Sequence, residues 1–473
     1  MSGSWVNLAE RIGADLHLEL AGSGSRRAAV ARALREAIGE GRLAAGVRLP
    51  PYRSLAADLG ITRNTVADAY AELVAEGWLT ARQGSGTRVA ERAAPARVVR
   101  VPKRPPAGPA APVHNLMQGQ PDASSFPRNA WSAAARRALA AAPHDAFGPG
   151  DPQGRIELRT ALADYLARVR GVRTGPERIV ICSGFSDALR LLFGGGVLRG
   201  TLAVEGYGLA FHRALLTAER VRTVPLGLDE RGTRTEELPA RRGVRSVLLT
   251  PAHQFPVGGP LDPGRRNAAV DWARARGGCV IEDDYDGEFR YDREPVGALQ
   301  ALDPDHVLYV GSVSKSVSPA VRLGWMVVPE HLLGPVLDAK GRRERWTSVV
   351  DQLTFADLIT SGAHDRHIRK MRQRYRERRN RLVAALAEHA PHVEVTGIAA
   401  GLHAVLRLPP GTETATVNAA TWLGLALDGL TGFRHPAAET PPLDGLVVGY
   451  ATPPDHAYAA ALAALCQILP PPP

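Results

Sequence analysis

Lysine is nearly absent from this chain. Of its 58 basic residues only four are lysines, Lys103, Lys315, Lys340 and Lys370, so arginine supplies almost all the positive charge. Cysteine is almost as scarce. Cys182, Cys279 and Cys466 are scattered, odd in number and without metal-ligand spacing. That excludes a disulfide framework or a zinc module and points to reduced thiols in a cytoplasmic protein. No apolar run reaches bilayer-spanning length, and the first residues show no basic stretch followed by an apolar core. Neither a membrane partner nor a secretion signal is therefore expected. No metal site is expected either. The 473 residues exceed one ordinary core, so two or three domains are expected. The net charge of +10 suits a polyanionic partner but decides little alone, because an arginine-rich composition has other origins.

What is present begins with a run of helical patterns. Residues 26–41, RRAAVARALREAIGEG, set Val30, Leu34, Ala37 and Ile38 on one face. A short second helix is expected over Arg53 to Leu59. Gly60 ends it, and Thr62 is an N-cap for a third helix that turns Val66, Tyr70 and Leu73 inward. Two short strands, WLTAR and TRVA, follow around the turn QGSG. Three helices and a hairpin make a winged helix-turn-helix. Thr62, Arg63, Asn64 and Thr65 form the tip of the third helix. In a helix-turn-helix this tip enters the major groove, where arginine pairs with guanine and asparagine with adenine. Arg53 is placed to grip phosphate, and Gly84 and Gly86 let the hairpin approach the DNA backbone closely. A protein-binding winged helix is the alternative; polar tip, wing and basic linker together favour double-stranded DNA.

The expected organisation is a DNA-binding domain over residues 1–90, a linker over 91–113 and an effector domain over 114–473. The linker is rich in proline, alanine and arginine, with one acid against five bases. It reads equally well as a plain tether or as an additional phosphate contact. Beyond it, β-rich runs (RIVICSG, TLAVEGYG, RTVPL, SVLLTP, GCVIEDD, HVLYVGS) alternate with helical patterns. This implies an α/β unit with a mainly parallel sheet and helices on both faces. From about residue 329 a smaller α+β domain is expected, with the arginine-rich run Arg366 to Arg381 as a solvated helix face. Lys340 and Lys370 likewise read as solvated cations in charge-rich helices.

In open α/β sheets ligands bind beyond the carboxyl ends of strands. Asp283, Asp284 and Tyr285 close one strand. Ser183, Gly184 and Phe185 close another and open a helix, a natural phosphate seat. Ser312, Ser314 and Lys315 close a third, and Arg322 adds a charged fork. A lysine, a carboxylate and a phosphate seat together suggest pyridoxal 5′-phosphate (PLP). Lys315 would form the Schiff base, Asp283 would keep the pyridine nitrogen protonated, Tyr285 would reach the phenolic oxygen and Tyr207 would stack on the ring. Taken singly, a Lys315–Asp283 ion pair or serines and glycines serving as turn residues would explain each feature.

Two stretches resemble known families. LREAIGEGRL, LPPYRSLAADLGITRNTVADAYAELVAEGWL and QGSG resemble the GntR family of bacterial repressors over roughly residues 26–90. DPQG, LLTPAHQFPVGG, IEDDYDGEFRY and YVGSVSKSVSPAVRLGW resemble fold-type I aminotransferases, and most closely the MocR subfamily of GntR regulators. The resemblance implies a winged helix fused to an aminotransferase-like PLP domain with a large parallel-sheet part and a small α+β part. It implies Lys315, Asp283, Tyr285, Ser183, Gly184, Phe185, Ser312, Ser314 and Arg322 around the cofactor. It also implies a domain-swapped homodimer.

The sequence departs from the enzyme pattern. The late strand GLVVGYA (445–451) lacks the arginine that clamps a substrate carboxylate, with Arg434 and Arg407 nearby only in sequence. Pro149 replaces a tyrosine common before DPQG, and HQFP leaves His253 or Gln254 in place of an asparagine. A transcription regulator that senses PLP itself, similar to PdxR-type members controlling vitamin B6 synthesis genes, is the favoured expectation. An amino-acid effector or a working aminotransferase is the alternative.

Overall fold

The computed structural model describes residues 25–82, 86–91, 112–148, 150–291, 296–342 and 346–472. The chain divides into two compact units. The first contains helices α1 (Arg26–Gly39), α2 (Tyr52–Asp58) and α3 (Arg63–Ala75) and the antiparallel strands β1 (Leu79–Arg82) and β2 (Gly86–Val89). Ser25 caps α1 through the Ala28 N–H, and Thr62 caps α3 through the Thr65 N–H. Val30, Leu34, Ile38, Leu55, Val66, Tyr70, Leu73, Leu79 and Val89 form one core. Each such aliphatic side chain contributes about 1.5–3 kcal/mol by leaving water. The buried Tyr70 hydroxyl donates to the Pro50 carbonyl at 3.1 Å, so its polar end is satisfied.

The second unit opens with β3 (His114–Asn115), α4 (Arg128–Ala141), α5 (Ile156–Arg170), β4 (Ile179–Cys182) and α6 (Phe185–Leu189). It continues through β5 (Thr201–Glu205), α7 (Ala210–Ala218), β6 (Thr223–Leu226), β7 (Val244–Leu249), α8 (Pro263–Arg276), β8 (Cys279–Asp283), β9 (Val307–Ser312) and β10 (Gly324–Val327). These seven strands from β4 to β10 form one sheet in the order β4-β10-β9-β8-β7-β5-β6. All neighbours are parallel except β10, which runs antiparallel to both β9 and β4. The strand was not expected: GWMV is a short run buried throughout, which carries no period of its own. Side chains alternate across the sheet. Ile179, Ile181, Tyr309, Trp325 and Val327 pack on one face with Leu158, Leu162 and Phe355. Val180, Cys182, Leu308, Val310 and Met326 pack on the other with Leu189, Leu192 and Val336.

Helices α9 (Glu330–Arg342), α10 (Val349–Thr360) and α11 (Ala363–His389) follow. Phe355 and Leu358 of α10 sit in the large-sheet core, so the smaller domain begins near residue 361 rather than 329. That domain holds β11 (Glu394–Thr396), β12 (Ala404–Arg407), α12 (Glu413–Trp422), β13 (Leu425–Ala426), β14 (Asp428–Gly429), β15 (Gly445–Val448) and α13 (Asp455–Ile468). Its main sheet runs β11-β12-β15-β14, and β13 pairs with β3, drawing residues 114–115 into it.

Two readings of basic residues are corrected. Lys340 is 1% exposed, on the α9 face that also buries Val336 and Ala339, and its amine donates to the Pro152 and Ile181 carbonyls. The arginine-rich helix α11 is only partly a solvated face. Arg378 is buried and donates to Asp455 and to the Tyr450 and Ala451 carbonyls, while Arg374 holds Asp122 at 2.6 Å. Helical spacing turns these two toward the small-domain core, where fixed acceptors replace water. Among the described residues no helix is long and apolar enough to cross a membrane, and no cluster of acids, histidines and cysteines is placed to hold a metal ion.

Candidate functional site

In the first unit Thr62, Arg63 and Asn64 are exposed at the start of α3, with Thr65 half-buried. Thr62 spends its hydroxyl on the cap and on a 2.8 Å contact with the Thr65 hydroxyl. Arg63 and Asn64 therefore carry the free donors of the tip. Arg53 is exposed on α2. Gly86 has φ +80°, and a Cβ there would lie 2.9 Å from the Arg48 guanidinium, so the wing needs glycine at this position. Gly84 lies outside the described residues.

In the second unit a cavity of about 550 Å³ opens at the carboxyl ends of the large-sheet strands. Ser183, Gly184, Phe185, Tyr207, Asp283, Tyr285, Ser312, Ser314, Lys315 and Arg322 all line it. These residues come from four strand ends that the sheet order brings together. Gly184 (φ +107°) precedes α6, and a Cβ on Gly324 would sit 2.7 Å from the Gly184 Cα, so β10 passes here only as glycine. The start of α6, Ser183, Ser312 and Ser314 thus line the same cavity as Arg322. Arg322 is in the left-handed region (φ +54°), and among the described residues no carboxylate pairs with it. A strained cation without an acid partner suits an external anion.

Lys315 donates its amine to the Gly119 carbonyl. Burial lowers its pKa below the ordinary lysine range, and Asp283 and Asp286 oppose that shift. Burial, then the neighbouring Asp284, pushes Asp283 well above the usual carboxylate range, with Lys315 pulling the other way. Both groups face the cavity, yet no ion pair joins them, which removes the simple ion-pair explanation. Asp284 instead forms a buried fork with Arg170 at 2.6 and 3.2 Å and accepts from the Tyr309 hydroxyl at 2.7 Å. That pairing fixes the end of β8 and leaves Asp283 directed at the cavity. Tyr207 is 2% exposed, and its hydroxyl accepts the Leu443 N–H at 3.0 Å. His253 is not among the lining residues. It stands behind Tyr285, its Nδ1 3.0 Å from the Tyr285 hydroxyl, and Phe255 forms the wall instead. Gln254 is turned to Glu205 and to the Tyr207 carbonyl. Pro149 lies outside the described residues.

Several lining residues escaped the sequence reading. Glu205 ends β5 and accepts from Thr250 and Thr233 at 2.5 and 2.8 Å; its place at a strand end was the available signal. Gln118, Gly119 and Gln120 arrive from a loop with no local signal. His212 lies against Phe185 at 4.8 Å, its pKa lowered to about 4 by burial and by Lys315. Arg213 also lines the cavity, but its guanidinium is taken up by the carbonyls of Gly208, Gly432, Phe433 and Arg434. Arg434 is turned to the Ala438 and Thr440 carbonyls, and Arg407 is exposed. Neither lines the cavity.

The donor set fits a phosphorylated aldehyde: a lowered amine, a facing carboxyl, and serines plus an unpaired arginine beside a glycine-lined helix start. Comparison with known proteins agrees with both units. Residues 26–89 match the bacterial regulatory proteins, gntR family, and residues 111–426 match the aminotransferase class I and II family. The chain is 31% identical over 423 residues to the HTH-type pyridoxine biosynthesis transcriptional regulator PdxR of Corynebacterium glutamicum, covering 88% of this chain and 90% of that one. It is 30% identical over 440 residues to the probable rhizopine catabolism regulatory protein MocR of Rhizobium meliloti, covering 88% of each. The kynurenine aminotransferase of Pyrococcus horikoshii has the same fold, with a TM-score of 0.68 at 23% identity over 76% of this chain and 91% of that one.

Proposed function

The chain belongs to the MocR subfamily of gntR-family regulators, DNA-binding transcription regulators with an aminotransferase-like domain, and we propose that this member senses PLP and controls vitamin B6 synthesis genes. One observation carries the reading: the amine of Lys315 and the carboxyl of Asp283 face one cavity without pairing, beside Arg322, which has no acid partner among the described residues. PLP would be held by Lys315, with Asp283 at the ring nitrogen, Tyr285 at the ring oxygen, and Ser183, Ser312, Ser314, Arg322 and the Gly184–Phe185 backbone at the phosphate. When bound, the cofactor supplies an electrophilic carbon and an electron sink.

The chain's own residues argue against turnover. Among the described residues, no arginine besides Arg322, which this reading gives to the phosphate, is free at the cavity to clamp a substrate carboxylate, since Arg213 is occupied by four carbonyls and Arg434 points away. Losing that clamp removes charge-assisted bonds of roughly 1.5–3 kcal/mol each. PLP itself then serves as the signal, and its occupancy shifts DNA affinity by linkage. Recognition falls to Arg63 and Asn64 on α3, with Arg53 and the Gly86 wing on the DNA backbone.

The reading includes a homodimer. Phe147, Ile156, Trp346 and Val350 are apolar yet 40% or more exposed. They lie on segments flanking one groove lined by Gly148, Arg155, Trp346 and Val349, a surface suited to a second copy.

The test is footprinting of the gene's own upstream DNA with and without PLP, using wild type and Lys315→Ala. A PLP-dependent footprint in wild type, lost in the variant, is expected. An identical footprint in all four samples refutes sensing.

A further inference from the structure

Several exposed arginines of the second unit meet an acid: Arg137 pairs with Asp357, Arg168 with Asp365, Arg231 with Asp262 and Arg274 with Asp303. One face of α11 differs. Arg369, Arg372 and Arg376 are exposed there, and Arg379 is half-buried. Among the described residues no carboxylate pairs with any of them, while Arg374 and Arg378 of the same helix share Asp122 and Asp455. We propose that this arginine row is a second DNA-contact surface, which takes the phosphate backbone of the duplex beyond the bases read by α3.

The row is straight. Its members follow Arg369 by three, seven and ten residues, which keeps them within an arc of about 80° around the helix and about 15 Å along it. The small-domain core takes another face, with Ile368, Met371, Tyr375 and Leu382. Like charges three and four residues apart repel, so the row works against the helix that carries it. Among the described residues only Arg372 of the four has a hydrogen-bond acceptor, the Glu288 carbonyl at 3.0 and 2.8 Å. The nearby acids are spent elsewhere. Asp365, one turn before the row, is taken by Arg168, and Glu377 accepts from Gln373 on a different face. A polyanion laid along the row removes the repulsion.

The match to gntR-family regulators already gives this chain a polyanionic partner. Duplex DNA carries one negative charge per about 1.7 Å of its axis, so a row about 15 Å long lies against several phosphates. Each guanidinium fork suits phosphate oxygens. Reach is no barrier. An extended chain spans at most about 3.5 Å per residue, so the stretch from residue 91 to residue 112 allows up to about 70 Å between its ends. Backbone contacts of this kind add affinity without sequence preference. The inference does not rest on PLP.

The test is the salt dependence of DNA binding by the full chain, on a random-sequence duplex of about six helical turns. Phosphate contacts carry no sequence information, so the operator need not be known. Wild type is compared with a triple variant, Arg369→Gln, Arg376→Gln and Arg379→Gln, which leaves the Arg372 contact in place. The slope of log affinity against log salt should become shallower by at least about one, since each lost phosphate contact removes about 0.9. An unchanged slope overturns the proposal. A matched variant on another flank of the helix, Arg366→Gln, Lys370→Gln and Arg381→Gln, removes the same charge and should stay within about half a unit of wild type. An equal drop there is a general charge effect and also overturns it. Lysine at the three row positions should keep the wild-type slope, because counterion release follows charge. A drop with lysine as large as with glutamine refutes phosphate contact and points to a carboxylate-bearing protein that needs the fork. If the triple variant does not fold, the single variants Arg369→Gln and Arg376→Gln carry the test, each expected to remove about 0.9, and a wild-type slope in both refutes it.

Discussion

Arg322 offers the sharpest separation of binding from folding. It lines the cavity at φ +54° without a carboxylate partner among the described residues. On the proposed reading, replacing it by glycine would remove one charge-assisted contact to the phosphate, worth about 1.5–3 kcal/mol. That weakens PLP binding roughly 10- to 150-fold. The fold should barely respond. A left-handed non-glycine residue carries strain on the order of 1 kcal/mol, which glycine relieves. Glycine also enlarges the unfolded ensemble, worth about 0.4–1 kcal/mol in the opposite direction. These two nearly cancel, and no buried acid is left unpaired. The assay pairs an absorbance titration of Arg322→Gly with PLP and urea unfolding of the cofactor-free protein. Stability should stay within about 1 kcal/mol of wild type. A dissociation constant changed by less than about threefold, or a loss of stability that matches the loss of affinity, refutes the assignment.

Lys315→Ala should abolish the visible absorbance that borohydride alters in wild type; an unchanged spectrum removes Lys315 from its role. Because burial draws the Lys315 amine downward, its neutral form persists to lower pH than for an ordinary lysine. The rate of PLP uptake should therefore begin to fall only below the usual lysine range near about 10.4, and a fall-off at that ordinary value would count against burial. Arg63→Ala should lose operator preference of about 1–3 kcal/mol per contacted base pair while keeping weak, salt-sensitive binding; intact preference in a mobility-shift assay would exclude the α3 tip as reader. Arg170→Leu strands Asp284 in the core and should destabilise the second unit by about 3–5 kcal/mol, most of it restored by adding Asp284→Leu; urea unfolding of the two variants checks this. Incubation with amino acids and a keto acid should give no steady transamination, and turnover would restore the enzyme reading.

The cavity-lining residues were legible because each cluster is short and sits where a β-rich run stops: CSGF, EDDY and GSVSK. The rule that ligands lie beyond strand ends needs only the strand, not its neighbours. Glu205 obeys the same rule and was passed over, since a lone glutamate beside glycines has no motif around it. His253 was placed at the cofactor from its position in HQFP, one side chain too far forward. Which of two adjacent groups reaches a cavity depends on a neighbouring strand, here the one that carries Tyr285. The antiparallel β10 was missed because four buried residues have no alternation to read.

Sequence by itself determined most of the order of elements, β10 excepted, the α3 tip and the residue types at the strand ends, because helix caps, periodicity and turn chemistry act within a few residues. Only tertiary structure decided which charges are buried. Lys340, Arg378, Arg170 and Asp286 look like any surface charge in the string. They leave water because carbonyls, carboxylates or an imidazole from distant segments replace their hydration, and that replacement exists only once the chain has closed around them.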